Sequence, residues 1–395
     1  MRINIVAGFF LPIPPVRGGA TEKIWYTLGR RFAADGHTVN FISRSWPNFA
    51  DDEVVDGVHH LRMTGADHTS ALWRNVWLDF RWGRRVTRRL PAADVTICNT
   101  IALPIWLKRR RPDAGRVVSV MARMPKGQTR FYQSVDLVLA LSAAVESAVV
   151  RENSTLAKRI VRFPFPIDWQ RQADAAKRLR ATSGEILRIG YIGRIHPEKG
   201  LHLLIAACNR LVDRPGLPPW ELHLTGPTEI PAGGGGTAFV QSLMEAASPR
   251  LRARLHINPP DFTSAGLAER YAALDVFCYP SIAETGETFG VAVAEAMAAA
   301  CAPVVSSLPC FEDLVTPRTT GLMFDHRAQN AVAQLEDALA QLTQNPELRN
   351  GLATRAQAHA AQFDFAVVAN ALERNLQQLL DSPVEKRPGN ARTEP

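Results

Sequence analysis

Short apolar runs alternate with longer amphipathic segments along most of the 395-residue chain. Between the first two runs, Ile24, Leu28 and Phe32 fall on one face of a predicted helix. Strands that are separated by helices form a parallel sheet that is covered on both faces. Because the pattern restarts in the second half of the chain, it predicts an α/β protein with two doubly wound, Rossmann-like domains. The predicted strands are residues 3–6, 39–42, 95–98, 117–120 and 137–141, followed by residues 187–192, 221–225, 255–257, 276–279 and 303–306.

Changes in composition indicate where the domains divide. A polar stretch that opens with Pro164 and Pro166 is typical of a linker. Near the end of the chain, apolar residues at helical spacing predict a last amphipathic helix, and a polar tail follows it. The predicted divisions are an N-terminal domain at 1–165, a linker at 166–185, a C-terminal domain at 186–362, a helix at 363–380 that can cross back to the N-terminal domain, and a disordered tail at 381–395.

Composition and charge narrow the class of protein. The hydrophobic share of 46% and the charged share of 21% are those of a globular protein, and we find no run of about eighteen apolar residues that could span a membrane. Five cysteines without metal-ligand spacing favour free thiols in a reducing compartment, so we expect a cytoplasmic location. The net charge of +8 could attract nucleic acid, but the sequence has no zinc finger, RNP-like strand or basic zipper. We therefore expect no nucleic-acid partner.

One amphipathic segment carries much of the positive charge. Trp73, Trp77 and Phe80 form an apolar stripe at helical spacing, and five arginines follow within residues 81–89. Arginines beside aromatic side chains suit the headgroups of anionic lipids. This predicts a peripheral contact with the inner face of a membrane. The alternative is that the stripe packs on the N-terminal domain and the arginines are solvated.

Two glutamates follow the predicted strand 276–279. In doubly wound sheets, ligands bind at the carboxyl ends of the strands, where the loop before Glu287 is expected. A helix that begins near Gly290 would direct free N–H groups towards a phosphate. Glu287 could then accept hydrogen bonds from sugar hydroxyls, and Glu295 could contact another part of an extended ligand, such as a ribose. Two glutamates at this spacing on an arbitrary helix would instead be surface charges.

A second loop supplies positive charge at the same predicted edge. Arg194 and Lys199 follow the strand 187–192 and precede a helix. A guanidinium offers a planar fork and an ammonium offers a point charge, and both bind phosphate oxygens. The pair is therefore a candidate clamp for a diphosphate.

These motifs together resemble those of family 4 glycosyltransferases, which have the GT-B fold of two Rossmann-like domains facing across a cleft. Glu287 and Glu295 match the paired-glutamate motif (E-x7-E) of that family. GRIHPEKG at 193–200 is similar to its Gly-Arg…Lys-Gly loop, and RGGATE at 17–22 is similar to its N-terminal glycine loop. The resemblance extends from about residue 2 to residue 380 of the chain.

The resemblance implies that the C-terminal domain binds a UDP- or GDP-type sugar donor and that the N-terminal domain binds the acceptor. It implies catalytic roles for Arg194, Lys199 and Glu287. It also implies retention of anomeric configuration, and it implies no cofactor and no metal, because Arg and Lys replace the metal of other transferase folds. The implied donor-binding residues are Gly18, Gly19, Gly193, Thr225, Gly226, Thr288, Phe289, Gly290 and Glu295.

The N-terminal domain departs from the family pattern. Where many relatives have a histidine near the reacting carbon, the two corresponding turns hold Asn99 and Arg123 instead. We place these two residues and Arg17 on the acceptor side of the cleft. An arginine at position 123 could meet an anionic acceptor or the phosphate of the donor.

The sequence thus predicts a retaining hexosyltransferase. Its acceptor would be a glycan, a lipid-linked sugar or a small molecule, as in the synthesis of envelope polysaccharides. Two alternatives remain open at this point. A sugar-nucleotide epimerase of the same architecture would bind a similar donor and need no acceptor, and a catalytically silent protein would only bind the sugar nucleotide.

Overall fold

The computed structural model describes residues 1–16, 19–67, 69, 71–180 and 186–383. The described residues fold into two α/β units, each with a largely parallel sheet, which confirms the predicted fold class. Arg17 and Gly18 lie outside the described residues, and so does the predicted tail from residue 384 onwards.

The N-terminal sheet has the strand order β3-β4-β2-β1-β5-β6-β7-β8 among the described residues. Its strands are parallel except for β3, which pairs antiparallel with β4 at the edge of the sheet. The strands are β1 (Arg2–Val6), β2 (Thr38–Arg44), β3 (Asp52–Val55), β4 (Val58–Met63), β5 (Val95–Cys98), β6 (Arg116–Met121), β7 (Leu137–Ala140) and β8 (Ile160–Arg162), and the helices are α1 (Ala20–Ala34), α2 (Leu72–Arg89), α3 (Leu103–Arg110) and α4 (Ala143–Glu152).

The C-terminal sheet is parallel throughout its described strands, with the order β11-β10-β9-β12-β13-β14. Its strands are β9 (Leu187–Ile192), β10 (Trp220–Thr225), β11 (Leu255–Asn258), β12 (Val276–Tyr279), β13 (Ala302–Ser306) and β14 (Leu322–Phe324), and the helices of this half are α5 (Trp169–Arg180), α6 (Leu201–Leu211), α7 (Gly236–Ala246), α8 (Pro249–Arg252), α9 (Ser264–Ala272), α10 (Val291–Ala298), α11 (Ala331–Gln344), α12 (Pro346–Ala360) and α13 (Phe365–Asp381).

Most of the segment predicted as a linker is a helix. Helix α5 packs on α9 of the C-terminal unit through small side chains, since Ala175 and Ala176 are buried with Ala268 and Ala272. The indole N–H of Trp169 also donates to the carbonyl of Gln357 at 2.9 Å. The polar composition that suggested a linker therefore belongs to the solvent-facing side of a docked helix.

The chain crosses between the two units twice, and the two crossings are hydrogen-bonded to each other. The backbone N–H of Ile167 donates to the carbonyl of Phe363 at 2.9 Å, and that of Phe365 donates to the carbonyl of Ile167 at 3.0 Å. Helix α13 follows the second crossing and packs on α1, where His37 Nε2 lies 2.7 Å from Glu373 Oε1. The final helix therefore lies on the N-terminal unit.

In both sheets the strand order reverses beside the first strand of the unit. The reversal falls between β1 and β5 in the N-terminal sheet and between β9 and β12 in the C-terminal sheet. Helices that leave such a pair of strands go to opposite faces, so a crevice opens between their carboxyl ends. The loops that follow β9 and β12 therefore line one crevice.

Helix α2 turns its aromatic stripe towards solvent. Trp73 is 75% exposed and Trp77 is 50% exposed, whereas Trp82 and Val86 on the opposite face are buried. Trp73 and Trp77 therefore do not pack on the N-terminal domain, whereas the Phe80 ring packs edge-on against Trp106 of that domain, with centroids 5.1 Å apart. The inner face includes Asp79, whose carboxylate accepts a hydrogen bond from the Ala102 N–H at 2.7 Å, just before α3.

Burial raises the pKa of Asp79 to about 6, and the amides of Ala102 and Ile101 oppose this shift. The folded state therefore holds this proton more tightly than the unfolded state does, and the cost of the buried charge appears as the pH rises from about 4 to above 6. We expect Asp79→Asn, which keeps an acceptor for Ala102, to gain stability over the wild type across this range, by up to about 3 kcal/mol.

Urea unfolding at several pH values would measure this gain. The matched control is Asp51→Asn, which alters an exposed carboxylate. A difference between Asp79→Asn and wild type that does not change with pH would contradict the prediction.

Candidate active site

The two loops singled out by the sequence meet at the switch point of the C-terminal sheet. Lys199 lies in the loop after β9, and Glu287 lies in the loop after the adjacent strand β12. The Lys199 ammonium donates to Glu287 Oε1, although 88 residues separate them. Both residues are buried, with Lys199 6% and Glu287 8% exposed.

Hydroxyl groups complete the surroundings of the Glu287 carboxylate. Tyr279 Oη donates to Oε1 at 3.1 Å, and Ser281 Oγ donates to the same oxygen at 3.0 Å. The Lys199 ammonium also lies 5.6 Å from the centre of the Tyr279 ring. Within the described chain these bonds all end on Oε1, so Oε2 keeps its capacity to accept hydrogen bonds from a ligand.

Glu287 lines a cavity of about 450 Å³ between the two units. Its N-terminal wall includes Met124, Pro125 and Ala144, and its C-terminal wall includes Leu308 and Glu287. A volume of this order accommodates a sugar and part of its carrier. The arrangement places a carboxylate oxygen where hydroxyl groups of a bound sugar could donate to it.

Arg194 is placed differently from the free clamp that the sequence suggests. It is about half-exposed, its Nη1 donates to the carbonyl of Gly233 at 2.9 Å, and its Nη2 donates to Glu198 Oε1. Glu198 Oε1 also lies 3.8 Å from the Lys199 ammonium. Glu198 therefore sits between the two cations, and a bound diphosphate would have to take over its bond to Arg194.

The loops after β9 and β10 approach each other closely. The Gly193 N–H donates to the carbonyl of Thr225 at 2.9 Å. A Cβ on Gly226 would lie 1.8 Å from the Gly193 carbonyl oxygen, so only glycine fits there. The structure thus brings together Gly193, Thr225 and Gly226, three of the proposed donor-binding residues.

The start of α10 is formed by the predicted Thr288-Phe289-Gly290 segment, but its side chains have other roles. Phe289 is buried, and its ring packs edge-on against Phe363 with centroids 5.3 Å apart. Thr288 Oγ1 donates to the carbonyl of Ala122 in the N-terminal unit at 3.2 Å. Gly290 has a φ of +93°, and a Cβ there would lie 2.7 Å from Phe311. In this arrangement Phe289 can reach a donor only through its backbone, because its side chain belongs to the core.

Glu295 lies within α10, where Tyr271 Oη donates to its Oε2 at 3.1 Å. Burial raises the pKa of Glu295 to about 7, and the bond from Tyr271 and the charge of Lys23 oppose this shift. Lys23 belongs to α1, so the second glutamate also faces the N-terminal unit. Glu295 is not among the residues that line the interdomain cavity, so its contact with a donor stays a prediction.

The residues proposed for the acceptor side are less well supported by contacts. Asn99 Nδ2 makes a long hydrogen bond of 3.4 Å to the carbonyl of Val6, and its Oδ1 is buried with no partner among the described residues. Arg123 is exposed. Burial of Glu22 raises the pKa of that carboxyl group, and the nearby charge of Arg123 opposes this rise. Gly19 directly precedes α1.

Sequence reasoning missed three residues of this site. Tyr279 and Ser281 bind Glu287, and Glu198 binds Arg194. The sequence pattern predicts Tyr279 as the last residue of a buried strand and places Ser281 in the turn that follows. The position of both at a strand end beside a predicted ligand loop is the signal that could have identified them.

The buried pair makes a prediction about stability. Lys199→Met leaves the Glu287 carboxylate without its cation, and Glu287→Gln leaves the ammonium unpaired. Removal of one partner of a buried ion pair costs roughly 3–5 kcal/mol. We expect each single variant to lose stability on this scale and the double variant to lose much less than the sum. Denaturant unfolding of all four proteins would measure the coupling, and strictly additive losses would contradict it.

Comparisons with known proteins identify similar sequences mainly over the second half of the chain. The model of the family described as glycosyl transferases group 1 matches residues 175–359. The chain is 29% identical over 221 residues, 55% of its length and 49% of the relative's, to a D-inositol 3-phosphate glycosyltransferase of Corynebacterium urealyticum. It is 27% identical over 216 residues, 54% of its length and 53% of the relative's, to a phosphatidyl-myo-inositol mannosyltransferase of Mycobacterium tuberculosis. The chain thus spans about half the length of these curated relatives.

Solved structures match almost the whole chain. Sucrose-phosphate synthase from Thermosynechococcus elongatus superposes with a TM-score of 0.75 at 20% identity, covering 97% of this chain and 100% of the other. Anabaena HepE in complex with UDP and glucose gives a TM-score of 0.69 at 18% identity, covering 96% of this chain and 100% of the other. The chain therefore has the GT-B fold of glycosyltransferases, and residues 175–359 match the group 1 family of these enzymes.

Proposed function

We propose that this protein is a glycosyltransferase that moves a sugar from a nucleoside diphosphate to an acceptor, with retention and without a metal. The observation that carries the proposal is the buried contact of Lys199 with Glu287 at the switch point, beside a cavity that both units line. The matches to glycosyltransferases over the C-terminal half and to the GT-B fold support it.

Charge develops on the diphosphate as the bond to the sugar breaks. Lys199, Arg194 and the first amides of α10 supply positive charge near this edge of the sheet. Donors that are held in place before the reaction stabilise such a transition state more than the ground state. In the proposed reaction, the acceptor attacks the sugar from the face that the phosphate leaves. The departing phosphate takes the proton of the acceptor, and attack on this face retains the anomeric configuration.

Glu287 would hold the donor sugar rather than the phosphate. Its Oε1 is occupied by Lys199 and two hydroxyl groups, which leaves Oε2 for hydroxyl groups of the sugar. Arg151 lines the cavity from the N-terminal unit, and Arg123 is exposed on the same unit. Because Glu284 and Glu312 also line the cavity, its own charges do not select the acceptor. We infer an acceptor that carries negative charge from Arg123, which could meet it, and from the names of the inositol phosphate and phosphatidylinositol relatives.

The clamp makes a kinetic prediction. One preorganised donor to a developing charge is worth roughly 3–4 kcal/mol, so Arg194→Ala and Lys199→Ala should each lower turnover more than about a hundredfold. A thermal-shift panel of UDP- and GDP-sugars would first identify the donor. Turnover would then be measured in EDTA, with the exposed Arg250→Ala as the control.

Three results would contradict the proposal. Near-normal turnover in both clamp variants would reject the clamp, and loss of activity in EDTA with rescue by magnesium would reject the metal-free route. Interconversion of the donor without acceptor, followed by NMR, would indicate an epimerase instead.

We further propose that α2 binds the surface of an anionic membrane. None of the described helices is long and apolar enough to cross a bilayer. Helix α2 nevertheless exposes Trp73, Trp77 and Phe80, with the Arg81 guanidinium 4.7 Å from the centre of the Trp77 ring. Exposed aromatic residues beside arginines suit the interface of anionic lipids, and such a position would bring the cleft close to a lipid-linked acceptor.

Vesicle sedimentation tests this surface. We expect the wild type to sediment with vesicles that contain phosphatidylglycerol, less so at high salt, and not with phosphatidylcholine alone. The double variant Trp73→Ser, Trp77→Ser should lose most of this binding. Phe262→Ser, which removes a 76% exposed aromatic side chain from the C-terminal unit, is the matched control. Equal recovery with neutral and anionic vesicles would contradict the proposal.

A further inference from the structure

Two histidines and a glutamate meet on the face of the C-terminal sheet near its edge. Glu221 and His223 are two residues apart on β10, so their side chains point to the same face. His256 lies on the edge strand β11 directly opposite His223 in the parallel register. Their ligand atoms all lie within 4.8 Å of one another.

The distances fit coordination of one ion. His223 Nε2 is 3.1 Å and His256 Nε2 is 3.7 Å from Glu221 Oε2. Around a tetrahedral zinc with bonds of about 2.0–2.1 Å, neighbouring ligand atoms lie about 3.3 Å apart. The Glu221 oxygen is therefore at a suitable distance from both ring nitrogens. The imidazole rings are stacked, with planes 18° apart and centroids 4.6 Å apart, so at least one ring must rotate to direct its lone pair at the ion.

The ligand set also suits a borderline metal. Neutral imidazole and carboxylate together favour zinc and its first-row neighbours over magnesium or calcium. Arg188 lies opposite Glu221 on β9 and is the nearby cation that opposes binding.

We propose that Glu221, His223 and His256 form a binding site for a divalent transition-metal ion, separate from the interdomain cavity. None of the three lines that cavity, so the ion is not part of the proposed transfer reaction. The ion would join β11 to β10. The two histidines lie two residues before Thr225 and Asn258, respectively. At the strand ends, Asn258 Nδ2 donates to Thr225 Oγ1 at 3.4 Å. Metal binding would therefore hold the edge strand in place beside the loop that carries Thr225.

Titration of the chelator-treated protein with cobalt and zinc tests the site. We expect one ion per chain, absorption bands of four-coordinate cobalt, and a rise in the unfolding midpoint with metal. His223→Ala and His256→Ala should each weaken binding more than about tenfold. Arg188→Gln should strengthen it. The matched control is His326→Ala, since His326 pairs with Glu284 at 2.9 Å but has no third ligand in the described chain.

A further variant and a turnover measurement distinguish metal binding at this site from the proposed transfer reaction. His256→Gln changes an exposed side chain, so it should fold normally and still lose cobalt binding. Donor turnover in the metal-free protein should equal that of the metal-bound protein. Absence of cobalt binding to the wild type, or binding that survives both histidine variants, would overturn the proposal.

Discussion

The ion pair between Lys199 and Glu287 joins the two loops on which the candidate site depends. Taking two charges out of water costs several kcal/mol per ion, and their attraction offsets this only where further hydrogen bonds satisfy them. Tyr279 and Ser281 supply those bonds to the carboxylate. The partners occupy the ends of adjacent strands, so the pair forms only when β9 and β12 lie side by side. The contact between Lys199 and Glu287 thus depends on the pairing of β9 with β12 and also positions both side chains in the cleft.

The two units contribute different properties to the cleft. The C-terminal unit supplies the charged groups and a helix start, whereas the N-terminal unit supplies much of the cavity wall. Among the described residues, hydrogen bonds connect them from Thr288 to the Ala122 carbonyl, from the Ala143 N–H to the Asp313 carboxylate and from the Lys23 ammonium to Ser264 Oγ. Each is an isolated bond, worth about 1 kcal/mol net between neutral groups and about 1.5–3 kcal/mol where one group is charged. The contacts across the cleft are therefore few and weak enough for a substrate to replace.

Local patterns in the sequence predict the central parallel strands of both sheets and the loops that carry the site, because short apolar runs indicate buried strands. They miss the parallel strands β4, β8 and β14, which are partly exposed or only three residues long. They do not predict β3, which is a half-exposed edge strand that starts within an acidic segment at Asp52. They also do not predict that Glu198 bonds Arg194 or that Thr288 reaches Ala122. Composition cannot distinguish α5 from a linker, since its buried face is made of alanines. In each case the deciding partner is remote in sequence or comes from the other unit.

The paired crossings at Ile167 and Phe363–Phe365 restrict how one half of the molecule can travel relative to the other. A single connecting strand would act as a swivel. Two segments bonded side by side allow the units to rotate about the line of the crossings. Sliding or twisting one unit against the other would instead break the hydrogen bonds between the crossings. Opening of the cleft should therefore be widest at the edge farthest from the paired crossings.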